Sequence, residues 1–465
     1  MKTLPHIPQR VIIVGAGITG LTLAYLLKKR GVPVLILEKS NRAGGRIHTL
    51  RENGYTFEAG PNSGIIAHPE VAQLFDSLGK AIGPEIAKPQ AKKRLIWKEN
   101  AFRPLPDSLK EAIATPLFTW YDKVRILGEP FRKKGSDPSE SVASIASRRL
   151  GKSFLAYAVD PFIGGIYAGN PDKLITRFAL PKLYALEQSY GSFIRGAVAG
   201  AKKRKEARSR KATKEIFSVS GGLSTLTDSL YEILKNDIQL DTERIAVVPE
   251  GASWRVTFRT RGTDHTLCAD RVVTTVGAYL LPDVLPFLKA NEKQLLLQLP
   301  YAPVVQIAVG VSGVHQCRHN AFGGLVPSVE KKKILGILYP SACFENRAPK
   351  DSCLFSFFMG GLRNPEIYDM PDREIERLTT EACSEMLKIN PDTRIDLLRI
   401  FRYKHAIPQY TSIVESLWEW LETFEKQHPG ICLAGNIRNG IGLADRIRQA
   451  YTIADQIKKP SDQAL

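Results

Sequence analysis

The sequence lacks the features that mark several protein classes. It contains no run of about 18 apolar residues, which argues against a helix that spans a bilayer. Its six cysteines include no Cys-x-x-Cys pair and its eight histidines no His-Glu-x-x-His pattern, so neither a disulfide framework nor a metal site is expected. Residues 1–10 are polar and carry two prolines, unlike a secretory signal, so a cytoplasmic location is expected.

Acidic residues are also scarce. The chain has 47 Asp and Glu against 65 Lys and Arg, a net charge of +18, and residues 92–214 hold 26 basic against 11 acidic residues. Such an excess suits an acidic partner, either lipid headgroups, a carboxylated substrate or nucleic acid, although a solvated basic face explains it equally well. Nucleic acid is not predicted, because the basic stretch contains no recognised binding module.

A chain of 465 residues is expected to form two or more domains. It opens with a short β-branched strand at 11–14, a helix at 21–30 and a second strand at 34–37, and residues 92–214 are helical, basic and interrupted by proline. The later segments predicted are a helix after Gly222, strands near 244–248, 254–259, 271–276, 304–309, 334–339 and 354–358, a helix at 371–390 and a strand at 431–434. This order predicts an α/β nucleotide domain assembled from separated pieces of chain, joined to an α+β part.

A glycine motif lies between the first strand and the first helix. Residues 15–20 read Gly-x-Gly-x-x-Gly: Gly15 permits a tight turn, Gly17 lets the backbone approach a diphosphate, and Gly20 lets the helix pack on the strand. The helix N-terminus then attracts the phosphates. Glu38, at the end of the second strand, can accept hydrogen bonds from a ribose. Because strand, turn, helix and acid are all present, the pattern predicts a Rossmann-type dinucleotide site.

The next residues favour FAD over NAD. Residues 42–46 read Arg-Ala-Gly-Gly-Arg, in which two glycines allow close packing on a dinucleotide and Arg46 adds a cation beside the diphosphate. Residues 57–63 form a glycine-proline turn that can approach a flavin ring.

These blocks resemble the superfamily of FAD-dependent amine oxidases and protoporphyrinogen oxidases. Residues 434–436 and 440–443 are similar to its second flavin contact, where a helix N-terminus faces the ring, and Val247 or Val248 matches the position whose backbone holds the adenine. The cofactor contacts that motif and resemblance imply are Gly15, Ala16, Gly17, Ile18, Thr19, Gly20, Glu38, Lys39, Arg46, Gly60, Pro61, Asn62, Ser63, Val248, Tyr403, Ile441, Gly442 and Leu443.

Narrower motifs resemble the oxygen-dependent protoporphyrinogen oxidases. They occupy residues 160–170, 178–192, 217–223 and 406–410, so the likeness covers nearly the whole chain. It implies oxidation of protoporphyrinogen IX to protoporphyrin IX in haem biosynthesis, with hydride transfer to the flavin, O₂ as the acceptor and no dedicated acid–base residue. It also implies substrate contacts at Lys110, Gly165, Phe322, Leu325 and Met359.

One position departs from the family pattern. Some relatives carry arginine after the Gly60–Pro61 turn, where it can pair with a propionate, and this chain has Asn62. Lys110 matches another cationic position and is the first candidate for that partner, ahead of Arg103 and Arg177.

The resemblance implies three domains. The FAD-binding domain comprises residues 1–90, 215–299 and 411–465, a substrate-binding β-sheet domain residues 300–410, and a helical domain residues 91–214. Apolar rings and cations at 116–125 suit peripheral contact between the helical domain and an anionic membrane surface. A homodimer and a hand-off of product to a ferrochelatase stay open.

Three other functions remain as alternatives. Oxidation of coproporphyrinogen III would use the same fold and flavin chemistry but more cations in the pocket. A non-enzymatic, flavin-bearing membrane adaptor also fits, because no catalytic side chain is required. A primary-amine oxidase is disfavoured, because the charge of this chain is opposite to the acidic preference of such enzymes.

Overall fold

The computed structural model describes residues 2–3, 10–79, 82–206, 212–313 and 320–457. The strands, in chain order, are β1 (Lys2–Thr3), β2 (Val11–Val14), β3 (Val34–Leu37), β4 (Thr49–Glu52), β5 (Tyr55–Glu58), β6 (Gly64–Ile65), β7 (Pro84–Ile86), β8 (Arg94–Lys98), β9 (Ala101–Pro104), β10 (Ile216–Val219), β11 (Ile238–Gln239), β12 (Thr242–Glu250), β13 (Ser253–Thr260), β14 (Thr263–Ala269), β15 (Arg271–Thr274), β16 (Tyr301–Ser312), β17 (Gly323–Leu325), β18 (Ile334–Leu338), β19 (Ser352–Gly360), β20 (Ile395–Pro408) and β21 (Ile431–Leu433).

The α-helices are α1 (Ile18–Lys29), α2 (Pro69–Leu78), α3 (Leu109–Ala114), α4 (Trp120–Leu127), α5 (Val142–Arg149), α6 (Lys152–Phe154), α7 (Asp160–Tyr167), α8 (Thr176–Ala179), α9 (Pro181–Tyr190), α10 (Phe193–Glu206), α11 (Ser224–Leu234), α12 (Leu281–Val284), α13 (Ala290–Leu297), α14 (Pro340–Cys343), α15 (Asp372–Leu387), α16 (Ile413–Gln427) and α17 (Leu443–Gln456). Among the described residues, no helix has both the length and the apolar character needed to cross a membrane.

A parallel sheet of five strands, in the order β11-β3-β2-β15-β21, carries the glycine motif at the end of β2. Its strands come from separated stretches of chain, as the sequence predicted. Apolar side chains of α1 and α17, including Leu21, Leu27, Ile447 and Ala450, pack in one core on this sheet. Because the strands are parallel, the helices that follow β2 and β21 begin at the same edge of the sheet.

A second sheet of seven strands, in the order β20-β16-β19-β18-β17-β8-β9, forms the other large unit. Its long strands have two different faces, because side chains alternate along a strand. Val305, Ile307, Phe357 and Met359 join the core beneath α15. On the opposite face, Gln306 and Ser356 contact the segment at residues 58–62.

Two sequence expectations need correction here. Residues 91–214 were predicted to be one helical domain, but β8 and β9 pair within the seven-stranded sheet, so the helical part begins at α3. No disulfide was expected, yet Cys353 is disulfide-bonded, while Cys268, Cys343, Cys383 and Cys432 are free thiols. The pairing of β8 with β17 joins residues more than 200 positions apart, which local patterns do not report.

The helical part is held together by buried charges. The fully buried guanidinium of Arg149 donates to Glu129 (Nε–Oε1 2.7 Å) and to Glu187 (3.1 Å). Glu129 also accepts hydrogen bonds from Ser192 Oγ (2.5 Å) and from the first backbone N–H groups of α10 (2.9 and 3.1 Å). A buried carboxylate thereby satisfies a helix N-terminus and a buried arginine together.

Candidate functional site

The three glycines of the 15–20 turn have the local geometry that their predicted roles require. Gly15 has φ +107°, and a Cβ there would lie 2.7 Å from Thr275 Oγ1. A Cβ on Gly20 would lie 2.1 Å from the Gly15 carbonyl oxygen, so the helix packs too closely for any other residue. At Gly17, no other described residue, apart from its chain neighbours, has an atom within 4 Å of the Cβ position. The turn is therefore closed by protein on two sides and open at the N-terminus of α1, which is the space that a diphosphate needs.

The neighbouring residues contribute backbone and an acid. The side chains of Ala16, Ile18 and Thr19 are buried, so only their main chain can face a ligand. Glu38 is buried beside them: its Oε2 accepts from Ala16 N (2.7 Å) and its Oε1 from Ser40 N (2.9 Å), while the next residue, Lys39, is exposed. Each carboxylate oxygen keeps further acceptor capacity, which a ribose hydroxyl can use.

The second glycine pair lies directly on the first turn. Gly44 N donates to Ala16 O (2.8 Å), and a Cβ on Gly45 would lie 3.0 Å from the Gly17 Cα. The side chain of Arg42, which the sequence analysis did not single out, holds this loop by donating to the carbonyl oxygens of Ala43, Gly45 and Ile47 (2.8–3.2 Å).

Arg46 and Tyr403, predicted from opposite ends of the chain, are brought together. The Arg46 guanidinium lies 5.0 Å from the centroid of the Tyr403 ring and donates to His405 O (3.3 Å). Arg46 is exposed, so its cation remains accessible to a ligand diphosphate.

The C-terminal contact lies at the start of α17. Gly442 is the N-cap residue, between Ile441 and the first helical residue, Leu443. Asp445 Oδ2 accepts from Gly442 N (3.2 Å), and its Oδ1 lies 3.0 Å from His68 Nε2. Because α17 follows β21 and α1 follows β2, both predicted flavin contacts meet at one edge of the parallel sheet.

A buried arginine shapes the loop before α17. Arg446 donates to Gly435 O, to Gln449 Oε1 (2.7 Å) and to Arg438 O (2.8 Å). Burial lowers its pKa to about 10. Sequence reasoning missed Arg446, because an arginine on a polar helix face gives no local signal of burial.

Val248 lies on β12, next to the fully buried Val247. Thr242, the first residue of β12, donates from its N–H to Glu38 O (2.9 Å), so β12 begins beside Glu38. The predicted adenine contact is thus on a strand that starts next to the predicted ribose contact.

Residues 60–63 lie between the nucleotide domain and the seven-stranded sheet. Asn62 is buried, donates to Gly60 O (3.2 Å) and accepts from Ser356 Oγ (2.8 Å). Pro61 is exposed, and Asn62 and Ser63 line a small cavity together with Phe322. The structure therefore brings a predicted substrate residue next to the predicted flavin turn.

Gly165 and Leu325 also meet. A Cβ on Gly165 would lie 2.5 Å from Leu325 Cδ2. Phe162 and Ile166, which occupy the same face of α7 as Gly165, are 40% and 41% exposed. These two residues were missed from the sequence, although their spacing around a glycine in an apolar helix was a usable signal.

Met359 does not face this region. It is fully buried in the core that includes Ile375 and Met386 of α15, on the opposite face of β19 from Ser356. The preceding residue, Phe358, is directed to the other face, beside Leu335. The prediction of Met359 as a substrate contact is therefore wrong by one residue. Because side chains alternate along a strand, an error of one residue selects the opposite face.

The three candidate cations differ in their surroundings. Arg177 pairs with Glu415 (2.5 Å), which removes it as a free partner for a carboxylate. Lys110 is exposed in the first turn of α3. Arg103 on β9 is half-buried and lies in register with Ile96 of β8 and Leu325 of β17, so the three share one sheet face. Among the described residues, no acidic side chain pairs with Arg103 or Lys110.

Comparisons with known proteins identify the family of this chain. The family of flavin-containing amine oxidoreductases matches residues 18–457. Protoporphyrinogen oxidase 2 of Arabidopsis thaliana is 31% identical over 93% of this chain and 90% of its own, and human protoporphyrinogen oxidase is 28% identical over 89% and 90%. The fold matches a protein from Exiguobacterium that is provisionally named a protoporphyrinogen oxidase, with a TM-score of 0.79 at 24% identity over 97% and 99% of the two chains. The chain therefore belongs to the family of flavin-containing amine oxidoreductases and is an enzyme whose cofactor is FAD.

Proposed function

We propose that this enzyme oxidises protoporphyrinogen IX to protoporphyrin IX in haem biosynthesis, with O₂ as the final acceptor. Relatives that are named protoporphyrinogen oxidases match nearly the whole length of this chain. The observation that carries the proposal is the close contact of Gly165 with Leu325, because Leu325 shares one face of the seven-stranded sheet with Gln306, which holds the turn that approaches the flavin.

The residues of the wall around Gly165 and Leu325 position a substrate, and because they are apolar none of them can act as a general base. Gly165, Phe162, Ile166 and Leu325 offer an apolar contact for a macrocycle, and Phe322 adds a ring beside Asn62 and Ser63. Bound FAD supplies the hydride acceptor. The N-termini of α1 and α17 offer backbone N–H groups to the anionic parts of that cofactor, and the apolar wall excludes water from the transfer.

The cations near this wall suit the substrate carboxylates. Arg103 lies on the same sheet face as Leu325, and a half-buried guanidinium without an acidic partner is costly unless a ligand supplies one. Lys110 adds a second cation after β9. Coproporphyrinogen III carries four carboxylates where protoporphyrinogen IX carries two, so it is the second candidate substrate.

A peripheral membrane contact is part of the proposal. Trp120, Tyr121, Val124 and Leu127 on α4 and the nearby Phe131 are 64–85% exposed, and Lys123 Nζ lies 4.8 Å from the centroid of the Trp120 ring. Exposed aromatic and aliphatic side chains beside a cation suit the interface of an anionic bilayer.

The test uses purified flavin-loaded protein in air, with protoporphyrinogen IX and coproporphyrinogen III in parallel. We expect porphyrin fluorescence to develop much faster than the spontaneous background, and the preferred substrate identifies the ring system. When O₂ is removed, the reaction should stop once the bound FAD has been reduced, because nothing reoxidises it. No acceleration with either substrate would refute the enzymatic proposal and favour a flavin-bearing adaptor.

A further inference from the structure

Gln306 is a fully buried polar residue in the middle of an apolar strand. It is 1% exposed on β16, between Val305 and Ile307. Burying a side-chain amide costs free energy unless both its oxygen and its nitrogen find partners. A buried glutamine among aliphatic residues therefore needs hydrogen-bond partners for both its amide oxygen and its amide nitrogen.

The partner is the chain around Ala59. Gln306 Oε1 accepts from Gly60 N (2.8 Å), and its Nε2 donates to Glu58 O (2.8 Å). The amide thus takes the place that a neighbouring strand's peptide group would take after β5 ends at Glu58. One side chain fixes the backbone on both sides of Ala59.

The same turn is held from its other sides. Gly60 has φ +139°, and a Cβ there would lie 2.0 Å from Arg46 O, so the turn presses on the second glycine loop. The Asn62 amide nitrogen donates to Gly60 O, and Ser356 Oγ donates to Asn62 Oδ1 (2.8 Å). The turn is therefore clamped between the loop that contacts the first glycine motif and one face of the seven-stranded sheet.

We infer that Gln306 is a positioning residue that sets the 58–62 turn against the flavin, with Ser356 and Asn62 as a second support. The inference rests on the proposed placement of the flavin beside residues 60–63. It assigns Asn62 a role as a clamp within the protein. The sheet thereby controls the flavin environment, although neither Gln306 nor Ser356 belongs to a cofactor motif.

The test compares Gln306→Met with wild type as flavin-loaded proteins. Methionine has a similar length but cannot hold the turn. We expect Gln306→Met to keep FAD, because the diphosphate contacts at residues 15–20 are untouched. Its flavin absorption bands and midpoint potential should shift, and kcat should fall at least about tenfold.

Thr379→Val is the matched control. Thr379 is fully buried and donates to Ile375 O (2.7 Å) within α15, away from the turn. This variant should lose thermal stability while its flavin spectrum and potential stay as in wild type. A Gln306→Met protein that behaves like Thr379→Val, with lower stability and an unchanged flavin, would overturn the inference, and so would complete loss of FAD from a folded variant.

Ser356→Ala serves if Gln306→Met does not fold. It removes one hydrogen bond from Asn62 and should shift the flavin bands and potential in the same direction, by less; an unchanged flavin in this variant would equally refute the clamp. The spectroscopic readouts need no porphyrinogen, so a failure of the proposed reaction is recognised separately from a failure of this inference.

Discussion

Gly165 and Leu325 lie so close that a Cβ on the glycine would sit 2.5 Å from Leu325 Cδ2. Gly165→Ala therefore pushes the Leu325 side chain along the proposed substrate wall. We expect kcat/KM for the porphyrinogen to fall about tenfold, mainly through KM. Truncating the neighbour in the double variant Gly165→Ala/Leu325→Ala should restore part of the loss relative to Gly165→Ala. Strictly additive effects in this cycle would show that the contact does not shape the substrate site.

Gly17 and Gly20 give a paired prediction because their Cβ positions differ. Gly17→Val should fold with near-normal thermal stability and weaken FAD binding at least about 100-fold, or about 2.8 kcal/mol. Gly20→Ala should lower the melting temperature by forcing α1 away from Gly15 O, with a cost of about 1–3 kcal/mol. Flavin titration and thermal unfolding of both variants check this, and a Gly17→Val protein that purifies with its full complement of FAD would contradict it.

How much of this the sequence predicted depends on the range of each interaction. The strand, turn and helix around the glycine motif could be predicted because their requirements act within about 25 residues, while the cofactor contacts of this motif and of Glu38 stay predictions. The misplacement of Met359 has a different origin: strand periodicity gives two faces without saying which one the cofactor domain covers. Arg177 and Glu415 pair although about half of the chain separates them, and Gln306 and Gly60 pair across 246 residues. Such pairings follow from the tertiary arrangement of helices and strands, which no local pattern encodes.

The carboxylate partner can be identified by substitution. Arg103→Ala and Lys110→Ala should each raise KM about tenfold, or about 1.4 kcal/mol, with a smaller effect on kcat. Arg177→Ala is the control, because its guanidinium already pairs with Glu415. A methyl-esterified porphyrinogen should remove the difference between wild type and the first two variants. An unchanged KM for Lys110→Ala would remove that residue from the site.

The buried Glu129 predicts a pH dependence of stability. Burial raises its pKa, but hydrogen bonds from Ser192, from the N–H groups of Phe193 and Ile194 and from Arg149 outweigh this and lower the pKa overall. A carboxyl group with a lowered pKa in the folded state stabilises the protein above its unfolded pKa and loses that contribution as the pH falls through the folded value. Glu129→Gln should therefore cost about 3–5 kcal/mol at pH 7.

Chemical denaturation of wild type and Glu129→Gln across acidic and neutral pH measures this difference. The gap between the two should close on the acid side, below the ordinary pKa of a glutamic acid. A gap that stays constant down to strongly acidic pH would contradict a lowered pKa of Glu129 in the folded state.

The exposed face of α4 predicts lipid binding. Trp120→Ser/Phe131→Ser should reduce sedimentation with phosphatidylglycerol vesicles at least about tenfold, because two interfacial anchors are lost. Leu297→Ser is the control, since Leu297 is 59% exposed on α13 outside this surface. Wild type should bind neutral phosphatidylcholine vesicles weakly. Equal binding of all three proteins to anionic vesicles would exclude α4 as the contact.

The parallel sheet has a consequence for the order of assembly during synthesis. The edge strand β21 and the helix α17, whose N-terminus is the second predicted flavin contact, come from residues 431–456, which leave the ribosome long after the glycine turn at residues 15–20. A nascent chain whose glycine turn has already emerged still lacks the N-terminus of α17, the second predicted flavin contact. We therefore expect FAD to bind only after residues 431–456 have emerged, so chains arrested before residue 431 should stay colourless however long they are incubated with FAD.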